Sequence, residues 1–258
     1  MFKKLRVAVL MYILLFVAVG QFLTARRSTD WNETLWVDVY PVLGDNAPST
    51  RAYLSTLTAA ELAGIETFFA AEAARFGVTL QRPFRLNLAP PIDEDLPHLE
   101  SDASPIGVAI WSLRMRWLAT RLQWASSRPA ADIVVFAVFH AVADGGALDR
   151  STALRKGLIA VANLFADRAA RGTNQVVLAH ELLHTLGASD KYDPSNNAPR
   201  FPIGFAAPSL VPLFPQERAE LMAGRVAVSE QQARIPKGLR EVLIGDATAM
   251  EIGWVRPN

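Results

Sequence analysis

Hydrophobic and polar positions change period several times along the chain, and each change marks an element. From Thr34 to Val42 they alternate, with Leu35, Val37, Val39 and Pro41 against Trp36, Asp38, Tyr40 and Val42, which predicts a strand. Leu62, Ile65, Phe69, Ala73 and Phe76 recur at helical spacing and predict a helix over 59–76, with Thr58 as its cap and Gly77 as its stop. A strand over 80–88, a loop rich in proline and acids over 89–105, and a second amphipathic helix over 106–126 follow. Residues 133–139 are an unbroken apolar run, as in a strand buried on both faces. Asp144-Gly145-Gly146 reads as a turn and 158–165 as a further strand. Beyond them, 174–186 has a cap in Thr173 or Asn174, apolar positions at Val176, Val177, Leu178, Leu182, Leu183 and Leu186, and a glycine stop at Gly187, so it reads as a largely buried helix.

Strands alternating with helices and ending in a strand pair before a buried helix predict an α/β fold with a mixed sheet. No repeat or low-complexity linker divides the chain, so one catalytic domain over 31–258 is the simplest organisation. A different pattern precedes it. A basic stretch, Lys3-Lys4-Leu5-Arg6, leads into an apolar run from Val7 to Ala25 and then Arg26-Arg27. That run is about long enough to span a bilayer and lacks a clean small-x-small cleavage site. Residues 1–27 are therefore expected to be an uncleaved signal anchor, one N-terminal transmembrane helix, with the rest of the chain on the outer, periplasmic or extracellular side. Secretion after signal cleavage is the alternative.

Composition narrows the chemistry. The 258 residues carry a net charge of +1, with no basic stripe or Arg/Lys-aromatic interleaving of the kind that would suggest nucleic acid, so such a partner is not expected. Cysteine is absent, which removes disulfides and thiolate-held metal.

The chemistry is concentrated in His180-Glu181-Leu182-Leu183-His184-Thr185-Leu186-Gly187-Ala188-Ser189-Asp190. On a helix His180 and His184 share a face at i and i+4, so both imidazoles can reach one Zn2+ ion while Glu181 leans toward a water beside it. Two histidines and a glutamate in a buried helix are costly to desolvate without a partner, and a metal supplies one. Gly187 can enter the left-handed region and turn the chain back, which makes Asp190 the candidate third ligand; a downstream Glu217 or Glu220 is the other.

This run resembles the metzincin metallopeptidases, whose His-Glu-x-x-His-x-x-Gly-x-x-His/Asp signature supplies three zinc ligands and a general base; the Asp190 form resembles the snapalysin type and departs from the commoner third histidine. The likeness covers roughly residues 157–254. It implies a zincin fold with a twisted mixed sheet, an active-site helix packed on it and a mostly irregular or helical C-terminal part, and an edge strand that pairs with substrate backbone, for which 158–165 is the candidate. It also implies a methionine turn, with Met222 preferred to Met250 because a glycine follows closely. The implied activity is zinc-dependent endopeptidase hydrolysis of a protein or peptide substrate, with Glu181 as general base. A catalytically silent envelope scaffold and a zinc hydrolase of a non-protein amide are the alternatives.

Other residues complete the expectations. Tyr192 is a candidate catalytic residue able to bond a tetrahedral intermediate, and Asp193 is a candidate to orient a ligand histidine; the alternative for both is that they fix the turn. The segment from Pro194 to Pro215, dense in proline and phenylalanine, is a long ordered loop that lines a pocket or packs over the core. His140, at a strand end, reads as a structurally satisfied histidine.

Overall fold

The computed structural model of the protein describes residues 11–12, 28–99, 104–142, 152–154 and 158–255. The expected N-terminal anchor lies outside the described residues. Among the described residues no helix is long and apolar enough to cross a membrane.

Five strands form one sheet: β1 (Leu35–Leu43), β2 (Phe84–Leu88), β3 (Ile133–His140), β4 (Thr152–Leu154) and β5 (Ile159–Phe165), in the order β2-β1-β3-β5-β4. Four run parallel and β4 alone is antiparallel, paired to β5 through Thr152 with Val161, Ala153 with Ala160 and Leu154 with Ile159. The expected mixed α/β architecture is therefore present. One correction concerns the edge: β4 lies outside β5 in the sheet order and covers it over residues 159–161, so the 158–165 segment is not the outermost strand. A three-residue strand carries no alternation of its own and is defined by its partner, which is why the pattern did not reveal it.

Helices cover both faces of the sheet. On one side α1 (Pro48–Leu54), α2 (Ala60–Arg75) and α4 (Arg171–Leu186) bury Val37, Val39, Val135, Ala137, Ala160 and Leu164; on the other α3 (Pro105–Ala125) sets Trp111, Met115, Leu118 and Ala119 against Tyr40, Val42, Phe136 and Val138. The alternation along β1 thus separates two cores, because successive strand residues face opposite layers. The first face is completed by short elements: β6 (Ala219–Glu220), a 3-10 turn at Leu221–Ala223, β9 (Val242–Leu243) and α5 (Asp246–Glu251). A hairpin of β7 (Val226–Ala227) and β8 (Ala233–Arg234) stands beside them.

Helix starts differ from expectation in an informative way. Ala59, not Thr58, occupies the N-cap of α2, without a side-chain cap. Helix α4 begins three residues before Asn174, whose amide instead joins helix to strand: it accepts from Phe165 N at 3.1 Å and donates to Phe165 O at 2.8 Å. By contrast Ser104 Oγ accepts from Gly107 N and caps α3.

Candidate metal centre

Helix α4 presents His180 and His184 one turn apart, and the chain after it returns Asp190 to the same point. His180 Nε2 lies 3.0 Å from His184 Nε2, and each is 3.2 Å from Asp190 Oδ1. Gly187 makes the return possible. Its φ of 106° is in the left-handed region, its N–H donates to His184 O, and Ala188 N donates to Leu183 O, closing the helix. The turn also delivers Ala188 O to His184 Nδ1 at 2.8 Å.

The other ring is held from a distant part of the chain. His180 Nδ1 faces Leu221 O at 3.0 Å. Carbonyl oxygens only accept, so both Nδ1 atoms carry the proton and both Nε2 lone pairs point into the triangle. Three acceptors then converge on one point, which is electrostatically tolerable when a cation or proton sits among them. Donors about 3.3 Å apart are what a tetrahedral ion with ligands at about 2.0–2.1 Å requires, and a His/His/carboxylate set suits zinc.

Electrostatics follow this crowding. Burial pushes the Asp190 carboxyl up, but the two imidazoles more than offset it and hold it well below the usual carboxylate range. Burial opposes charge on His180, yet Asp190, Glu181 and the Leu221 carbonyl together push its pKa up. Glu181 is 5 % exposed, and burial raises its pKa against the pull of both histidines. One of its oxygens, Oε2, is buried with no hydrogen-bond partner. His180, Glu181 and His184 can bring their ligand atoms within 4.8 Å of one another, so the carboxylate stands at the triangle's margin.

The turn beneath the site is built around Glu220 rather than offered to the triangle. Glu220 Oε1 accepts from Gly245 N and from Thr248 Oγ1, while Oε2 accepts from Ala223 N, so both oxygens are used. Glu217 is exposed. Of the three candidates for a third ligand, Asp190 is the one brought to the histidines. Gly224, at φ 69°, ends the 3-10 turn. Met222 inside it is fully buried, and its carbonyl accepts from Lys191 N at 2.9 Å; Met250 is exposed on α5. The turn is thus bonded both to a histidine of the triangle and to the residue after Asp190.

Lys191 was not singled out from the sequence. It is 1 % exposed, and its ammonium donates to Ser189 O, Ser189 Oγ and Glu251 Oε2 at 2.7–2.9 Å. Glu251 in turn accepts from Ser189 N and Oγ, so this cluster clasps the loop carrying Asp190 to α5. Burial pushes the Glu251 carboxyl up, but Lys191 and Ser189 bring it below its ordinary value.

Other candidates fall outside the triangle. Asp193 uses its carboxylate on Ser195 N and Oγ and so fixes its own turn, the second of its two expected parts, and the histidine rings are oriented by backbone carbonyls instead. Tyr192 is half-buried and bridges to Pro199, two residues beyond Asp190. His140 Nε2 lies 3.0 Å from Asn163 Oδ1. In the proline-rich loop Phe201, Phe205 and Phe214 stack edge-on in sequence, and Phe205 and Phe214 also border a cleft of about 640 Å³ with Arg225 and Val228, whose lining includes none of the triangle's residues.

No protein family and no curated protein matches the chain. One solved structure, described as "Structure of a chaperone-substrate complex", aligns with 85 % of this chain at 16 % identity and a TM-score of 0.40. The present chain spans 33 % of that chain's length, and a likeness this low carries no conclusion about fold or function.

Proposed function

We propose that the protein is a zinc-dependent endopeptidase, with His180, His184 and Asp190 as metal ligands and Glu181 as general base. The observation that supports this reading most strongly is the convergence of three acceptor atoms beside a buried carboxylate with an unpartnered oxygen. A zinc ion there would supply Lewis acidity, making water acidic near neutral pH and polarising an amide carbonyl. The chain's own groups do the rest. The Leu221 and Ala188 carbonyls keep both rings oriented and hold the Nδ1 proton of each, which leaves Nε2 as the nitrogen that would face an ion. Glu181, with its proton affinity raised by burial, takes the proton of the attacking water and passes it to the leaving amine. Tyr192 is retained as a group able to donate to the tetrahedral intermediate. The domain is held to a membrane by residues 7–25 and works on the outer side.

The test is metal content together with chelator-sensitive cleavage of casein by the protein and by its Glu181→Gln and His180→Ala variants. One zinc per chain, with cleavage lost in Glu181→Gln and both lost in His180→Ala, is expected. Unchanged zinc in His180→Ala would refute the ligand assignment. Zinc without cleavage of casein, combined with release of an amine from cell-wall amides, would transfer the same site to a non-protein substrate.

A further inference from the structure

Helix α3 has two apolar faces. One is buried against the sheet through Trp111, Met115, Leu118 and Ala119. Opposite it Ile106, Ile110, Leu113, Trp117 and Trp124 follow at steps of four, three, four and seven, one stripe at helical spacing. All five lie open to solvent, with Leu113 at 67 %, Trp117 at 64 % and Trp124 at 83 % exposed. Scattered apolar residues on a surface are ordinary; a continuous row with two indoles is not.

The margins of the stripe are cationic. At about 100° per residue Arg114 and Arg121 fall along one flank and Arg116 along the other, and the helix contains no Asp or Glu. Arg121 lies 4.9 Å over the Trp117 ring and pairs with Glu94, which fixes a guanidinium beside an indole. An apolar centre holding Trp, bordered by Arg on both sides, is the pattern of a helix lying in the plane of an anionic bilayer.

Position adds a second argument. The C-terminal end of α3 leads into β3, where Asp132 accepts from Trp36 N at 2.9 Å and borders a cleft with Ser28, Asp30 and Asn32. Trp124 and Ser28 therefore lie at the same end of the sheet, the end where β1 and β3 start. The apolar run of residues 7–25 stops three residues before Ser28, with Arg26-Arg27 between them.

We propose that the outer stripe of α3 seats the domain on an anionic lipid bilayer, with Leu113, Trp117 and Trp124 at the headgroup–acyl boundary and the exposed Arg114 on lipid phosphates. The proposal rests on the membrane-anchor reading for the nearness of a bilayer and is independent of the peptidase reading. It leaves the metal centre on the opposite face of the sheet, turned away from the lipid.

Because the chain has no cysteine, single-cysteine variants report cleanly. The full chain carrying Leu113→Cys, Trp117→Cys or Trp124→Cys, with Ser195→Cys as control, is labelled with an environment-sensitive fluorophore and reconstituted in phosphatidylglycerol/phosphatidylethanolamine vesicles. Lipid-borne nitroxide should quench the three stripe positions several-fold more than the control, with weaker quenching in phosphatidylcholine alone. Vesicle flotation of the chain with all four positions equally open to aqueous iodide overturns the stripe while leaving the anchor. Disulfide dimers through position 113 at high lipid dilution show a second copy on the stripe and also overturn it. A chain that does not float with the vesicles overturns anchor and stripe together.

Discussion

Glu181 and Glu220 are both buried, and burial raises the pKa of both. They differ in what meets them. Glu220 receives three donors from the 220s turn and the start of α5, and so ties two segments together. Glu181 keeps an oxygen with no partner, beside two imidazoles. Burial thus raises proton affinity in both, but a carboxylate whose two oxygens are both held by donors of the fold is less free to take up a reacting proton. The empty hydrogen-bonding position, more than the depth, distinguishes a group available for chemistry from one that holds the fold.

The sharpest test of that contrast is Glu181→Gln. We expect turnover to fall by about 10²- to 10⁴-fold, with zinc retained and a melting temperature no lower than that of the parent; a large loss of stability would place Glu181 with Glu220. The converse variant is Glu220→Ala, which strands three donors and should cost about 3 kcal/mol, read as a lower denaturant midpoint with zinc still bound by the folded fraction. Loss of zinc at full stability would instead make Glu220 part of the metal centre.

The Lys191 clasp extends the comparison to a pair that titrates. The folded pKa of Glu251 lies below its unfolded value, so its contribution is fully present above the unfolded pKa and disappears as pH falls through the folded one. Glu251→Gln should therefore destabilise the protein at neutral pH, and parent and variant should converge in unfolding experiments as pH drops below the ordinary glutamate range of about 4. A difference constant with pH would show that the bond is worth nothing as a charge pair. The smallest effect is expected from Met222→Leu, a swap of similar volume in a full core, at under about 1.5 kcal/mol with cleavage unchanged; a lost zinc content would give the methionine more than packing to do.

Much of this contrast was invisible in the sequence, for physical reasons. His180, Glu181, His184, Gly187 and Asp190 were legible because their geometry is local: one helical turn and one left-handed residue relate them all. The strands β1, β3 and β5 were legible as alternation or apolar runs. The tethers on the two rings were not, since Leu221 O and Ala188 O are backbone atoms that any residue would supply. Nothing local marks Lys191 for burial, because its partner Glu251 comes to it from 60 residues away. Helix α1 buries only Thr50 and Leu54, too few positions to make a period, and β4 is defined by pairing with β5.

That 60-residue separation also orders events in time. At a synthesis rate of about 5–20 residues per second, His180 to Asp190 precede Glu251 by about 3–12 seconds. A growing chain therefore displays both imidazoles and Glu181 while the loop that carries Asp190 still lacks its fastener. If the site is the proposed peptidase centre, hydrolysis would wait until α5 docks, a delay set by the order of the sequence.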